Sequence, residues 1–84
     1  MNGFQSNNIM PLSLMAVGET AELVDVRGTP DFRKRMADLG LTSGTLVRIV
    51  QSAPNSPMIV AFRDDARLAL GQGVAHKLVA IPRQ

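Results

Sequence analysis

The stretch TPDFRKRMADLGLTSG, residues 29–44, sets the interpretation of the chain because it contains both ends of one helix. Thr29 can cap the first turn with its side chain, and the proline that follows suits that turn because its missing N–H costs no helical hydrogen bond. Gly40 is expected just past the helix, since glycine adopts the left-handed closing conformation without a steric penalty. These end signals predict a helix over about residues 30–39.

Within this helix, apolar and basic residues are predicted to lie on different sides. The apolar residues follow the i, i+4, i+7 spacing of one helical face, as Phe32, Met36 and Leu39. The run Arg33-Lys34-Arg35 falls on the other side, where Asp31 precedes Arg35 by four residues and can form an ion pair with it. We expect either a solvated face with local ion pairs or a surface for an acidic protein, with nucleic acid or anionic lipid as further alternatives.

The segments around the helix indicate short strands separated by glycine and proline turns. Strands are predicted over residues 21–26, 45–51, 58–63, 67–70 and 79–81, the last ending before Pro82, and a short helical turn is predicted over about 71–77. Five short strands with one helix inserted early indicate a mainly β fold, a small barrel.

Length and composition indicate one domain with an aliphatic core. The 84 residues suffice for a single domain, which we expect over residues 11–84, after a flexible Asn- and Ser-rich tail at residues 1–10. Without cysteine, thiol catalysis and zinc–thiolate sites are excluded. A net charge of +2 is weak support for nucleic-acid binding, and no apolar run approaches the ~20 residues of a membrane span.

The reactive residues do not form a recognisable catalytic or cofactor pattern. His76 is the only histidine and is expected at the surface; a pairing with a serine stays open, although no Gly-x-Ser-x-Gly elbow is present. Asp64-Asp65 is expected to be a solvated hairpin corner rather than a cation site. Gly71-Gln72-Gly73 lacks the spacing of a phosphate loop. We therefore predict no enzyme, cofactor or metal site, and a deep pocket joining His76 to carboxylates would reverse that prediction.

Several motifs together resemble the FeoA family. They are Leu12-Ser13, Gly18, RMADLGLTSG at 35–44, Val47-Arg48-Ile49, Ala53-Pro54, Pro57, Ile59-Val60, Leu68-Ala69-Leu70, Ala75 and Val79, and they span residues 11–82. The chain departs from the family pattern at Ser43, where proline is usual, at Asn55-Ser56 in place of Gly-Asp, and at Gly71, where an arginine is common.

This resemblance implies an SH3-like β-barrel and a role in bacterial ferrous iron uptake. It implies a cytoplasmic accessory of the FeoB-type transporter, held at the inner membrane only through that partner, with weak self-association as a further expectation. The partner surface is expected to consist of Arg33, Lys34, Arg35, Leu39, Gly40, Leu41 and Arg48. The alternative is a free-standing regulatory module related to the C-terminal domain of iron-dependent repressors, although the chain lacks a helix-turn-helix.

Overall fold

Six antiparallel strands and two α-helices make up the part of the chain that the computed structural model describes, residues 8–63 and 65–83. In chain order they are β1 (Met10–Pro11), a 3-10 turn (Leu12–Leu14), β2 (Thr20–Val26), α1 (Pro30–Asp38), β3 (Leu46–Gln51), β4 (Met58–Phe62), β5 (Ala66–Leu70), α2 (Gln72–Lys77) and β6 (Leu78–Arg83). The strands form one sheet in the order β1-β6-β2-β3-β4-β5. The predicted mainly β fold, with an early helix and a late helical turn, is confirmed.

The two ends of α1 have the geometry that the sequence predicts. The Oγ1 atom of Thr29 accepts a hydrogen bond from the Phe32 backbone N–H at 3.2 Å. At the other end the Leu41 N–H donates to the Met36 carbonyl at 2.8 Å, and the Gly40 N–H donates to the carbonyl of residue 37 at 2.9 Å. Gly40 has φ +97°, so this is a Schellman closure with glycine in the left-handed region.

The side chains of α1 depart from the prediction in two respects. The predicted Asp31–Arg35 ion pair is not formed; instead the Nζ atom of Lys34 lies 3.5 Å from a carboxylate oxygen of Asp38. The predicted apolar stripe also ends early, because the helix stops at Asp38 and the chain turns away. Leu39 is therefore 46% exposed, while Leu41, beyond the turn, is fully buried.

The predictions for residues 1–10 and for the last strand differ most from the structure. Residues 1–7 of the predicted tail lie outside the described residues, and Met10 already pairs with Ala80 in β1. The last strand does not stop before Pro82 but continues to Arg83, with Pro82 opposite a residue of β2. β1 pairs only with Val79 and Ala80, so no described strand pairs with the same edge of β6 at Pro82, where a residue without an N–H is tolerated.

The core lies between the curved sheet and the two helices and is aliphatic. Alternate residues of the strands point into it, as the two-residue period of a strand requires. Its largest fully buried side chains are Leu12, Leu23, Leu41, Val47, Ile49, Met58, Val60 and Leu78. On the opposite face of the sheet most outward residues are exposed or half-buried, whereas Ala61 and Val79 are buried.

Candidate partner-binding surface

The basic run of α1 lies in solvent. Arg33, Lys34 and Arg35 are all exposed, whereas Met36, the next residue, is 6% exposed and packs into the core. The Lys34–Asp38 ion pair joins side chains that are 77% and 66% exposed, so it contributes little to stability and is easily exchanged for another carboxylate. The helix thus presents three cations to the outside.

Arg33 and Lys34 border a shallow groove between α1 and the loop that follows it. The groove is also lined by Asp25 from β2 and by Thr42 and Ser43 from the loop. One carboxylate and two hydroxyl groups therefore lie beside the two cations. This arrangement suits a polar protein partner that supplies both carboxylates and hydrogen-bond donors.

At the exit of α1, only one of the three predicted contact residues can reach a partner. Leu39 is 46% exposed, but Leu41 is fully buried and Gly40 is buried under the Arg63 side chain. A Cβ built on Gly40 would lie 2.9 Å from the guanidinium carbon of Arg63. Gly40 and Leu41 therefore lie inside the turn that follows α1. They are removed from the predicted contact surface, and Leu39 remains the candidate contact residue at this end of the helix.

Arg48 does not lie beside the α1 residues with which it was predicted to form one partner surface. It projects from the outer face of β3 into an open depression of about 580 Å³, which Leu46 of the same strand and Arg63 also line. This depression and the groove beside Arg33 share no lining residue. Of the seven predicted residues, five are exposed on two separate surfaces, and Gly40 and Leu41 are buried.

The pairing of a serine with His76, left open by the sequence, is present. The Oγ atom of Ser13 lies 3.1 Å from Nδ1 of His76, and both side chains are at the surface. Among the described residues, Arg27 and Lys77 line the depression beside His76, and no carboxylate does. Since a nucleophilic serine needs a base that a third group orients, this pair lacks the arrangement of a catalytic triad.

The described residues of the other candidate sites lie in a turn and at the start of α2. Asp64 lies outside the described residues, and Asp65 is exposed in the turn between β4 and β5 with φ +68°. Gly71 precedes α2, and Gln72 donates a hydrogen bond from Nε2 to the Ser56 carbonyl at 2.9 Å. This contact fastens the start of α2 to the turn between β3 and β4.

Residues 8–63 and 65–83 contain no group of three or more His, Cys, Asp or Glu side chains placed to hold a metal ion. None of their helices has both the length and the apolar character needed to cross a membrane.

The curved antiparallel sheet, the helix between β2 and β3 and the solvated outer faces define a small SH3-like domain. A zinc-bound FeoA from Stenotrophomonas maltophilia, described as a prokaryotic SH3 domain protein, has this fold, with a TM-score of 0.74, 24% identity, and coverage of 89% of this chain and 96% of that chain. The chain belongs to the FeoA family, since the FeoA domain profile matches residues 10–82. Members of this family take part in ferrous iron transport.

Other solved structures are similar along most of the chain. An iron uptake regulatory protein, FeoA, has a TM-score of 0.82 and 28% identity over 89% of this chain and 99% of that one. A manganese-dependent transcriptional repressor also has a TM-score of 0.82, at 17% identity, but the match covers 37% of the repressor and 89% of this chain. No curated protein matches the sequence.

The Stenotrophomonas protein is described as complexed with zinc, so the side chains of this chain are compared with what zinc requires. Zinc in proteins is held by cysteine, histidine and carboxylate ligands, most often four of them. This chain has no cysteine and one histidine, and the described residues hold no cluster of three such side chains. The donor set therefore does not fit a structural zinc ion.

Proposed function

We propose that this chain is a cytoplasmic accessory of a bacterial ferrous iron transporter of the FeoB type and acts by contact with its GTP-binding portion. The contact surface is the basic face of α1, Arg33 to Arg35, together with Leu39 at its exit. The observation that carries the proposal is the unbroken run of three exposed cations next to one exposed leucine. Clustered charge beside an apolar residue is typical of a modest, transient protein interface.

Regulation by contact fits this chain better than catalysis or iron carriage. In the part of the chain that the structure describes, no carboxylate lines the depression beside the Ser13–His76 pair. Ferrous iron in proteins is commonly held by two histidines and a carboxylate, and the chain contains one histidine. Instead, α1 presents three exposed basic side chains that another protein can bind.

A binding titration with the purified GTP-binding portion of the transporter tests the proposal. Reversing two charges, in the variant R33E/K34E, is expected to weaken binding by about tenfold, because each exposed ion pair contributes up to about 1 kcal/mol. The matched control is R27E, which reverses an exposed arginine at the other depression, beside His76. Unchanged affinity in R33E/K34E, or equal loss in R27E, would exclude α1 as the contact surface.

The alternative, a gene-regulatory module, has support from the fold shared with the manganese-dependent repressor. It predicts steeply salt-dependent binding to duplex DNA, since released counterions dominate that interaction. Titrating the same protein with a duplex at two salt concentrations separates the two functions. Transporter binding without DNA binding supports the first, and the reverse supports the second.

A further inference from the structure

We propose that the outer face of the sheet is a second docking surface, which binds an acidic protein helix through a row of arginines. This surface is distinct from the face of α1 and does not depend on the identity of the partner bound there. Its residues come from β2 to β6 and are brought together by the register of the strands.

The strand register places three arginines in one line across five strands. Thr20 of β2 lies opposite Arg83 of β6 on one side and opposite Arg48 of β3 on the other. Ala61 of β4 lies opposite Arg48 and, on its other side, opposite Arg67 of β5. The line therefore alternates arginine with a small residue. Since neighbouring strands are about 4.8 Å apart, the arginines recur about every 10 Å.

The row faces solvent and holds an excess of positive charge. Arg48 and Arg67 are exposed and form no ion pair with a described carboxylate. Arg83 lies 3.1 Å from Glu22, in a pair whose side chains are 56% and 32% exposed. Asp65 lines the depression around Arg48, so two described carboxylates and the cations of the row share the face.

The chemistry around the row favours a protein over nucleic acid or lipid. Leu46, in the same depression as Arg48, is 55% exposed and offers an apolar contact. The aromatic residue bordering that depression, Phe62, is 7% exposed, so it gives little area for a base to stack on. Glu22 and Asp65 interrupt the positive charge of this face, which disfavours a continuous line of phosphates more than single carboxylates placed at the arginines.

The spacing of the row suits an acidic helix. Seven residues of an α-helix rise about 10.5 Å, close to the distance between successive arginines. A helix with glutamates at positions i, i+7 and i+14 can therefore place one carboxylate at each of Arg83, Arg48 and Arg67. A leucine on the same helical face can then contact Leu46.

The probe is a synthetic helical peptide with glutamates at i, i+7 and i+14 and leucines between them on the same face, titrated into the full-length ¹⁵N-labelled chain. We expect amide shifts at Thr20, Leu46, Arg48, Ala61 and Arg67. The variant R48E/R67E is expected to bind at least tenfold more weakly, R48Q/R67Q is expected to lie in between, and R33E/K34E is expected to bind as the wild type does. Retained dispersion of the amide spectrum confirms that each variant is folded.

Four outcomes would overturn the proposal. They are shifts confined to α1, equal weakening by R33E/K34E, equal binding of a peptide with glutamines in place of the glutamates, and tighter binding of phosphatidylglycerol vesicles or single-stranded DNA than of the peptide. Binding of the transporter's GTP-binding portion to α1 is measured in a separate titration, so either proposal can fail while the other stands.

Discussion

Replacing Leu41 by alanine tests the finding that the exit of α1 is divided between core and surface. Leu41 is fully buried, so L41A removes apolar side chain from a packed core and leaves a cavity. Such substitutions cost about 3–5 kcal/mol. A domain of this length has a free energy of unfolding of about 4–13 kcal/mol, so the loss is a large part of the total.

Leu39 provides the matched control, two residues away and with the same substitution. Its side chain is 46% exposed, so L39A removes only about half as much apolar contact and leaves no closed cavity. We expect a loss of less than about 1 kcal/mol. L39A should nevertheless weaken binding to the GTP-binding portion of the transporter, because Leu39 belongs to the proposed contact surface.

Thermal unfolding and urea unfolding, both followed by circular dichroism, measure the two variants. A loss of 3 kcal/mol in a domain of this size corresponds to a fall in Tm of about 12–24 °C, whereas L39A should lower it by only a few degrees. The slope of the transition should stay the same in all three proteins, since the surface exposed on unfolding hardly changes. Equal losses in the two variants, or a cost below 1 kcal/mol for L41A, would refute the division of this corner into core and surface.

Three further predictions concern the helix ends and the sheet. G40A should lower the free energy of unfolding by about 1–2 kcal/mol, because Gly40 has φ +97°. G73A lies in α2 with open space around it and should raise the free energy of unfolding by about 0.5 kcal/mol. Urea midpoints of the two variants that move in the same direction would contradict this. T29A should cost about 1 kcal/mol by removing the cap of α1, and T29S, which keeps the hydroxyl, should restore most of the stability in the same assay. E22Q should change stability by less than about 1 kcal/mol, since the pair with Arg83 is partly exposed, and a larger loss in thermal unfolding would show that the pair is more important than its exposure indicates.

The parts of the fold with local signals could be predicted from the sequence. Thr29 and Gly40 act on the backbone within a few residues, so the limits of α1 follow from residue chemistry. Most strands carry their own alternation of apolar residues. The backbone turn that brings Leu41 back to Met36 follows from the left-handed glycine, but the burial of the Leu41 side chain was not predicted, since Leu41 was expected on the partner surface.

Features that depend on distant residues could not be predicted. β1 is two residues long and has no pattern of its own; it exists because Met10 and Pro11 meet β6 almost seventy residues later. The continuation of β6 through Pro82 depends on β1 ending early. The arginine row was missed for the same reason, since Arg48 and Arg67 become neighbours only through the register of three strands.

The position of β6 in the sheet has a consequence for biosynthesis. β6 is the last element of the described chain, yet it lies between β1 and β2. Until β6 has left the ribosome, β2 has one unpaired edge, and β1 has no strand to pair with. The sheet is therefore completed only when this non-local pairing forms. Before β6 pairs, the nascent protein exposes a strand edge to other chains, so rapid pairing of β6 limits aggregation.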